Sequence, residues 1–486
     1  MTFNSLAFFI FFPVVTIFYF YLPHKWRWLF LLLASCVFYM FLIPVYILIL
    51  AGTIVIDYIA GILIENSRGH RRKIFLIVSI ISNVGVLGFF KYFNFFTSNF
   101  NHVASLVHWN YSLPLLAIIL PIGLSFHTFQ AMSYTIEVYR GKQKAERHFG
   151  IYALYVMFFP QLVAGPIERP QNLLHQFYEP HQFEYKRVTD GLKRVGVGLF
   201  KKVVIADRLA VLVNHVYGNV HAYSGPSLVL AVIFFSYQIY CDFSGYSDIA
   251  IGTAQVLGFN LMENFKRPYY SKSIAEFWRR WHISLSSWFR DYVYIPLGGS
   301  RVSLGKWVFN TLVVFMLSGL WHGANWTFVI WGGLHGAMIA LSRITEPLRQ
   351  KAVNFFHLAQ TEFYKIFQIG ITFLLVSLAW ILFRANSLGD AVYVFTHLLA
   401  GNWNIFSLNQ VRLLLGGMGF TFDAFLLSIC AILVLELVQL KQRQNSILEV
   451  LAGQPVWLRW GIYYVVVLAL LFFGVQGGSK FIYFQF

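Results

Sequence analysis

Apolar runs of nearly bilayer-crossing length recur along the whole chain. They include residues 5–22 (SLAFFIFFPVVTIFYFYL), 74–90, 203–218, 422–438 and 457–474. Each is close to the roughly 20 residues an α-helix needs to cross a bilayer. Between the runs lie basic clusters: 24–27, 66–73, 139–148, 186–202, 263–280, 343–351 and 441–444. Basic loops beside apolar spans face the cytoplasm. With all of these clusters on that side, the spans cross mostly in pairs, which predicts about 11–12 crossings with both termini outside. Two apolar stretches, 150–168 and 249–264, have basic clusters at both ends and contain Gly, Pro or polar residues. They are expected to be re-entrant or broken, which is tolerated where backbone is buried in protein or lines a wet cavity.

Composition agrees with this pattern. Of 486 residues, 58% are hydrophobic and 12% charged, against about 25% charged in a soluble protein. The chain is therefore expected to be an all-α polytopic membrane protein embedded in a lipid bilayer. The first run lacks a basic leader and a small-residue cleavage site, so it reads as a retained span. The net charge of +17 belongs to the loops that set orientation, and no nucleic-acid-binding pattern accompanies it. Cys36, Cys241 and Cys430 are scattered without a CxxC pair, so neither a metal site nor a disulfide framework is expected. No internal repeat or linker divides the sequence, and residues 1–486 read as a single integral-membrane domain.

Polar residues at membrane depth cost about 2.5–3.5 kcal/mol each when charged, so each needs a reason. Three stretches contain them. In 240-YCDFSGYSDIAIG-252, Asp242, Ser244, Tyr246 and Asp248 interrupt an apolar run. They form either a cavity wall at a broken helix or a cap between two spans. Gly245 and Gly252 there allow the backbone to bend or approach closely. In 275-AEFWRRWHISLSSWFRDYVYIPLGG-299, the mixture of Trp and Arg suits an amphipathic helix lying at the interface, a reading that does not single out His282. In 317-LSGLWHGANWTFVIWGGLHG-336, His322 stands among Trp321, Trp326 and Trp331. Gly319 and Gly323 would let helices close around it, and Asn325, three residues on, would share its helical face. A buried histidine is most often structural. It is also partly neutral near pH 7 and able to take a proton from a hydroxyl.

Other chemistries leave marks that are missing. There is no G-x-S-x-G elbow, no Walker A and no HExxH. No carboxylate stands at metal-ligand spacing from the histidines. The Gly196-x-Gly198 pair beside Lys201 and Lys202 reads as helix packing.

The segments DFSGYSDIAIG (242–252), FWRRWHISLSSWFRDYVYIPLGG (277–299) and SGLWHGANWTFVIWGGLHG (318–336) resemble the membrane-bound O-acyltransferase family, and within it the bacterial polysaccharide branch. LPIGLSFHTFQAMSYTIEVYRG (120–141) and FFPQLVAGPIERP (158–170) fit the same branch. The resemblance implies a helical bowl, thin at its centre, with a tunnel joining the two faces of a bacterial inner membrane. It implies a catalytic role for His322 as the histidine of the WHG motif. His282 matches a second tunnel residue that is often Asn in eukaryotic relatives and His in this branch. Trp321, Asn325, Asp242 and Ser244 are candidates for lining the tunnel. No bound cofactor is implied. Acetyl-CoA is the expected acetyl donor, docking on the basic clusters at 186–202 and 263–280. The acceptor is either an extracytoplasmic polysaccharide or a periplasmic acetyltransferase partner that holds it. Two rivals are D-alanyl transfer from a carrier protein to teichoic acid and a proton-coupled transporter. The terminal FIYFQF is expected to anchor at the outer interface.

Overall fold

The structure is a computed structural model. It describes residues 1–41, 43–118, 120–403, 405–442, 453–475 and 481–482. Among the described residues the chain is helical, with no strand. Among the described residues eight helices are long and apolar enough to cross a membrane: Tyr46–Asn66, Gly69–Leu106, Pro226–Leu257, Leu304–His322, Trp326–Ile344, Glu362–Arg384, Phe422–Lys441 and Val456–Phe473. The apolar helix Leu6–Tyr21 is shorter. The count falls below the expected 11–12. The first run forms a helix of only 16 residues, Leu6–Tyr21. The 203–218 run lies in helix, the π-helical turn Phe200–Ala206 running directly into Asp207–Gly218, that carries Lys201, Lys202, Asp207 and Arg208 and so is not among the apolar eight.

By its internal contacts the chain divides into two compact units. One comprises Met1–Val195 with Ser247–Met262, and the other Gly196–Tyr246 with Glu263–Phe486. In the first unit, Asp57 on Tyr46–Asn66 is completely buried. It accepts from Ser79 Oγ at 2.6 Å and from Asn83 Nδ2 at 2.8 and 2.9 Å. The Ser79 hydroxyl also lies 3.0 Å from Thr135 Oγ1, from which it can accept, its single proton being given to Asp57. These bonds join three helices where lipid offers no polar partner. The 150–168 stretch is broken, as expected. Its helix Phe149–Met157 has nine residues, too few to cross, and the turns that follow are buried. Side chains satisfy the backbone there: Gln161 Nε2 donates to the Tyr155 carbonyl at 2.8 Å, and Tyr155 Oη donates to the Glu168 carbonyl at 3.0 Å.

The 249–264 stretch is not a separate segment: residues 258–264 are not helical, and residues 249–257 end the 32-residue helix Pro226–Leu257, which runs unbroken through Asp242, Ser244, Tyr246 and Asp248. Those residues therefore neither break nor cap a helix. Asp248 is instead held by Arg194, at 3.1 Å from both Nε and Nη2. In the second unit, Asp242 and Asp207 both meet Lys202 Nζ, at 2.6 and 2.8 Å. All three side chains are almost wholly buried. Gly245 lets the helix approach this region: a Cβ there would lie 2.7 Å from the Gly198 carbonyl oxygen. The Gly198 backbone thus takes part in helix packing, whereas a Cβ on Gly196 would meet nothing within 4 Å.

The core of the second unit is aromatic. Trp331 stacks on Trp380 at 5.6 Å, and Phe277 on Trp281 at 5.4 Å. Trp380 Nε1 donates to Tyr269 Oη at 3.2 Å, and Tyr269 donates in turn to the Ser236 carbonyl. The helices Leu304–His322 and Trp326–Ile344 form a tight hairpin. Gly319 and Gly332 face each other, and a Cβ on Gly319 would collide with the Phe328 carbonyl.

Two predictions concern stability, read as thermal unfolding of the purified protein in detergent. Removing one partner of a buried ion cluster costs about 3–5 kcal/mol, so Lys202→Met should lower the midpoint strongly. Lys365→Met, which breaks the exposed pair with Glu362, should cost no more than about 1 kcal/mol. Equal midpoints for the two variants would refute the importance of the buried cluster. In the hairpin, Gly319→Ala should cost about 1–3 kcal/mol by overpacking. Gly305, where a Cβ meets nothing within 4 Å, should tolerate Ala or gain up to about 1 kcal/mol.

Candidate functional site

The 275–299 segment is not an interfacial helix. It breaks into two seven-residue helices, Ile274–Arg280 and Ile283–Phe289, followed by a π-helical turn, Arg290–Tyr294. Trp278, Trp281 and Trp288 are all buried. Ser273 caps the first helix by accepting from the Glu276 N–H at 3.2 Å. The break falls at His282, whose backbone is left-handed (φ 43°, ψ 55°), a conformation uncommon for any residue but Gly. The bend re-aims the chain and starts the second helix, with the Ser286 N–H donating to the His282 carbonyl at 2.9 Å.

A neighbouring strip of chain stabilises the bend. The Lys266 N–H donates to the Arg280 carbonyl, and the Ile283 N–H to the Asn264 carbonyl, both at 2.9 Å. The Asn264 side chain accepts from Ser284 through its backbone N–H at 3.2 Å and its hydroxyl at 3.0 Å. His282 Nδ1 lies 3.1 Å from the same Oδ1. Asn264 and His282 are both fully buried. His282 lies outside the eight apolar helices, and burial pushes its pKa down to about 3, so the ring is neutral at physiological pH.

His322 is the last residue of Leu304–His322, where Gly323 turns the chain out of the helix. It is 2% exposed. Its ring centroid lies 6.5 Å from that of His282. That is too long for a direct hydrogen bond between the rings, but short enough for one small group to touch both. Aromatic rings enclose the pair. Phe243 meets His282 edge-on at 4.6 Å, and Trp321 is 6.0 Å from His282 and 4.9 Å from His322. Trp331 and Phe383 meet His322 at 5.1 and 5.4 Å.

The other sequence candidates separate. Trp321 belongs to the enclosure. Asn325 does not share a helical face with His322, because the helix has ended. It is the N-cap of Trp326–Ile344, accepting from the Thr327 N–H at 3.0 Å. Asp242 is engaged by Lys202 and also accepts from the Ile482 N–H at 2.8 Å, and its neighbour Phe243 is the residue that reaches His282. Ser244 is buried on the same helix. Lys202, counted among basic residues suited to a donor's phosphates, is buried in its ion cluster instead. Phe481 and Ile482, the described part of FIYFQF, are not an interfacial anchor. Both are buried, and Phe481 stacks on Tyr246 at 4.6 Å; the remaining four residues lie outside the described ones.

Sequence reasoning missed Asn264, which lies within the basic cluster 263–280 and carries no motif of its own. It also missed His335, although this residue stands in the quoted LHG. His335 is fully buried across Trp331 from His322, with ring distances of 5.0 and 5.1 Å. It accepts from Trp278 Nε1 at 3.2 Å. Since an indole N–H can only donate, the proton of the neutral His335 ring is on Nε2. Among the described residues no group of His, Cys, Asp and Glu is placed to hold a metal.

Comparison with known proteins accords with this architecture. The profile of MBOAT, the membrane-bound O-acyltransferase family, matches residues 16–384. A probable alginate O-acetylase AlgI of Pseudomonas aeruginosa is 40% identical over 418 residues, covering 85% of this chain and 78% of that protein. A peptidoglycan O-acetyltransferase of Helicobacter pylori is 38% identical over 393 residues, covering 75% and 72%. A teichoic acid D-alanyltransferase of Bacillus subtilis is 28% identical over 286 residues, covering 54% and 69%. A multi-pass helical chain matched over most of its length by one family profile, and by relatives at this identity, belongs to that family: the protein is a membrane-bound O-acyltransferase.

Proposed function

We propose that this O-acyltransferase takes an acetyl group from a cytoplasmic thioester, acetyl-CoA, and passes it through the bacterial inner membrane for O-acetylation of an extracytoplasmic polysaccharide. The transfer is either direct or by way of a periplasmic partner that holds the polymer. The observation that carries the reading is the pair of buried imidazoles 6.5 Å apart inside one aromatic enclosure. The O-acetyltransferase names of the relatives support acetyl as the cargo and a wall or exopolysaccharide as the destination.

In this reading the acceptor hydroxyl and the thioester carbonyl meet beside His322. The imidazole takes the hydroxyl proton as the oxygen attacks the carbonyl carbon. The tetrahedral intermediate collapses by breaking the C–S bond, and the leaving thiolate takes up the proton from the imidazolium. His282 orients the reacting groups or stabilises their charge. The aromatic rings exclude water, which would otherwise hydrolyse the thioester. On the cytoplasmic side, Lys266, Lys272 and Arg279 are exposed on the segment that leads to His282, and their charge suits the phosphates of CoA.

The test is CoA release from acetyl-CoA by purified protein in nanodiscs, with and without a hydroxyl acceptor. Loss of a general base costs typically about 10²–10⁴-fold, so His322→Ala should fall by that factor while unfolding at the unmodified temperature. Turnover that survives in His322→Ala defeats the assignment. A protein inert towards acetyl-CoA but active on a D-alanyl carrier protein would move the cargo to D-alanine. Neutralising Lys266, Lys272 and Arg279 together to Gln should raise KM for acetyl-CoA severalfold with kcat little changed, and raised salt should mimic it. An unchanged KM would remove that docking surface.

A further inference from the structure

The hydrogen bonds around Asn264 determine which nitrogen of His282 carries the proton. The backbone N–H of Ser284 can only donate, so the Asn264 atom 3.2 Å from it is the carbonyl oxygen, not the amide nitrogen. That oxygen also faces His282 Nδ1 at 3.1 Å. Two lone pairs cannot sit opposite each other at that distance, so Nδ1 must carry the hydrogen. Ser284 Oγ is a second neighbour of Nδ1. It is 3.5 Å from Nδ1 but 3.0 Å from Asn264 Oδ1, and it donates to the nearer atom. The backbone of the same asparagine accepts from Ile283, so one residue supports both the bend at His282 and the ring it presents.

We propose that Asn264 is a positioning residue that fixes His282 as the Nδ1–H tautomer and leaves its lone pair on Nε2. The inference rests on the reading that His282 takes part in acyl transfer, and it sharpens that reading. A neutral ring with its lone pair on Nε2 cannot donate a hydrogen bond to the oxyanion of the tetrahedral intermediate. It can accept one, so His282 orients a hydrogen-bond donor, the incoming hydroxyl, until His322 takes the proton. The rings around His282 include Phe243, Phe265 and Trp321, and the titratable His322 with its ring centre 6.5 Å away.

The experiment compares Asn264→Leu, Asn264→Asp and His282→Ala in nanodiscs, with acetyl-CoA as donor. Leu removes the acceptor at similar volume. Asp keeps an acceptor oxygen against Nδ1–H and adds negative charge, which favours the imidazolium. Asn264→Leu should lose about 10²-fold in kcat, of the order of a lost acid–base or orienting group, with KM for acetyl-CoA unchanged. Asn264→Asp should stay within about tenfold of the unmodified rate at its optimum. Its acid limb should move to higher pH, because a carboxylate beside the ring raises the pH at which the neutral form is lost. Nitrogen-15 spectra of histidine-labelled protein supply the second readout. The resonance missing in His282→Ala should show Nδ1 protonated in the unmodified protein and in Asn264→Asp, and should not in Asn264→Leu. An unchanged Asn264→Leu rate, or a His282 resonance protonated at Nε2 in the unmodified protein, overturns the inference. A His282→Ala variant with full turnover would instead overturn the reading beneath it. An inactive His282→Ala beside a fully active Asn264→Leu would fell the asparagine alone.

Discussion

Burying two imidazoles among tryptophan and phenylalanine rings is possible only if the backbone that carries them can turn away from regular helix without leaving polar groups unmet. Each unsatisfied N–H or C=O in such a place costs several kcal/mol. The chain meets this constraint differently at the two histidines. His322 sits where a helix ends, and Gly323 carries the backbone out. His282 sits in a left-handed kink between two short helices, and the residues around Asn264 accept and donate the bonds that the kink releases. The rings meet because the Gly319–Gly332 hairpin and the Trp331–Trp380 stack hold the surrounding helices closely together.

The same rule extends to charge. Lys202 is placed between Asp207 and Asp242, and Asp242 also receives the Ile482 N–H. The carboxylate of Asp242, a candidate tunnel residue in sequence, is therefore held in this ion cluster. Its helix still matters to the site, since Phe243 on the next position packs against His282. Neighbouring positions on one helix serve stability and enclosure respectively, a division that spacing alone cannot reveal.

What could be read beforehand was whatever local pattern determines. Long apolar runs marked a membrane protein, the interrupted 150–168 stretch marked a segment that does not span, and the small residues around Gly319 marked close helix packing. The two histidines were found by motif resemblance, not by physics, because a lone His in an apolar run has the same local signature whether structural or functional. Tertiary context accounts for the misreadings. The Trp/Arg pattern of 275–299 fits a surface helix when viewed alone, yet its tryptophans are core residues. Asn325 looked three residues from His322 along a helix that in fact stops between them. Asp242 and Lys202 are forty residues apart in sequence, so no window contains their ion pair. Asn264 is visible only once its oxygen is seen against the His282 ring.

In the proposed function His282 and His322 act on one reaction as a unit, their ring centres 6.5 Å apart. A double-mutant cycle in acetyl-CoA turnover tests this most directly. Residues that act as a unit are strongly non-additive, so the account predicts that His282→Ala/His322→Ala is scarcely slower than the slower single variant. A double variant whose loss equals the product of the two single losses would show that the histidines act independently, and would contradict a shared site.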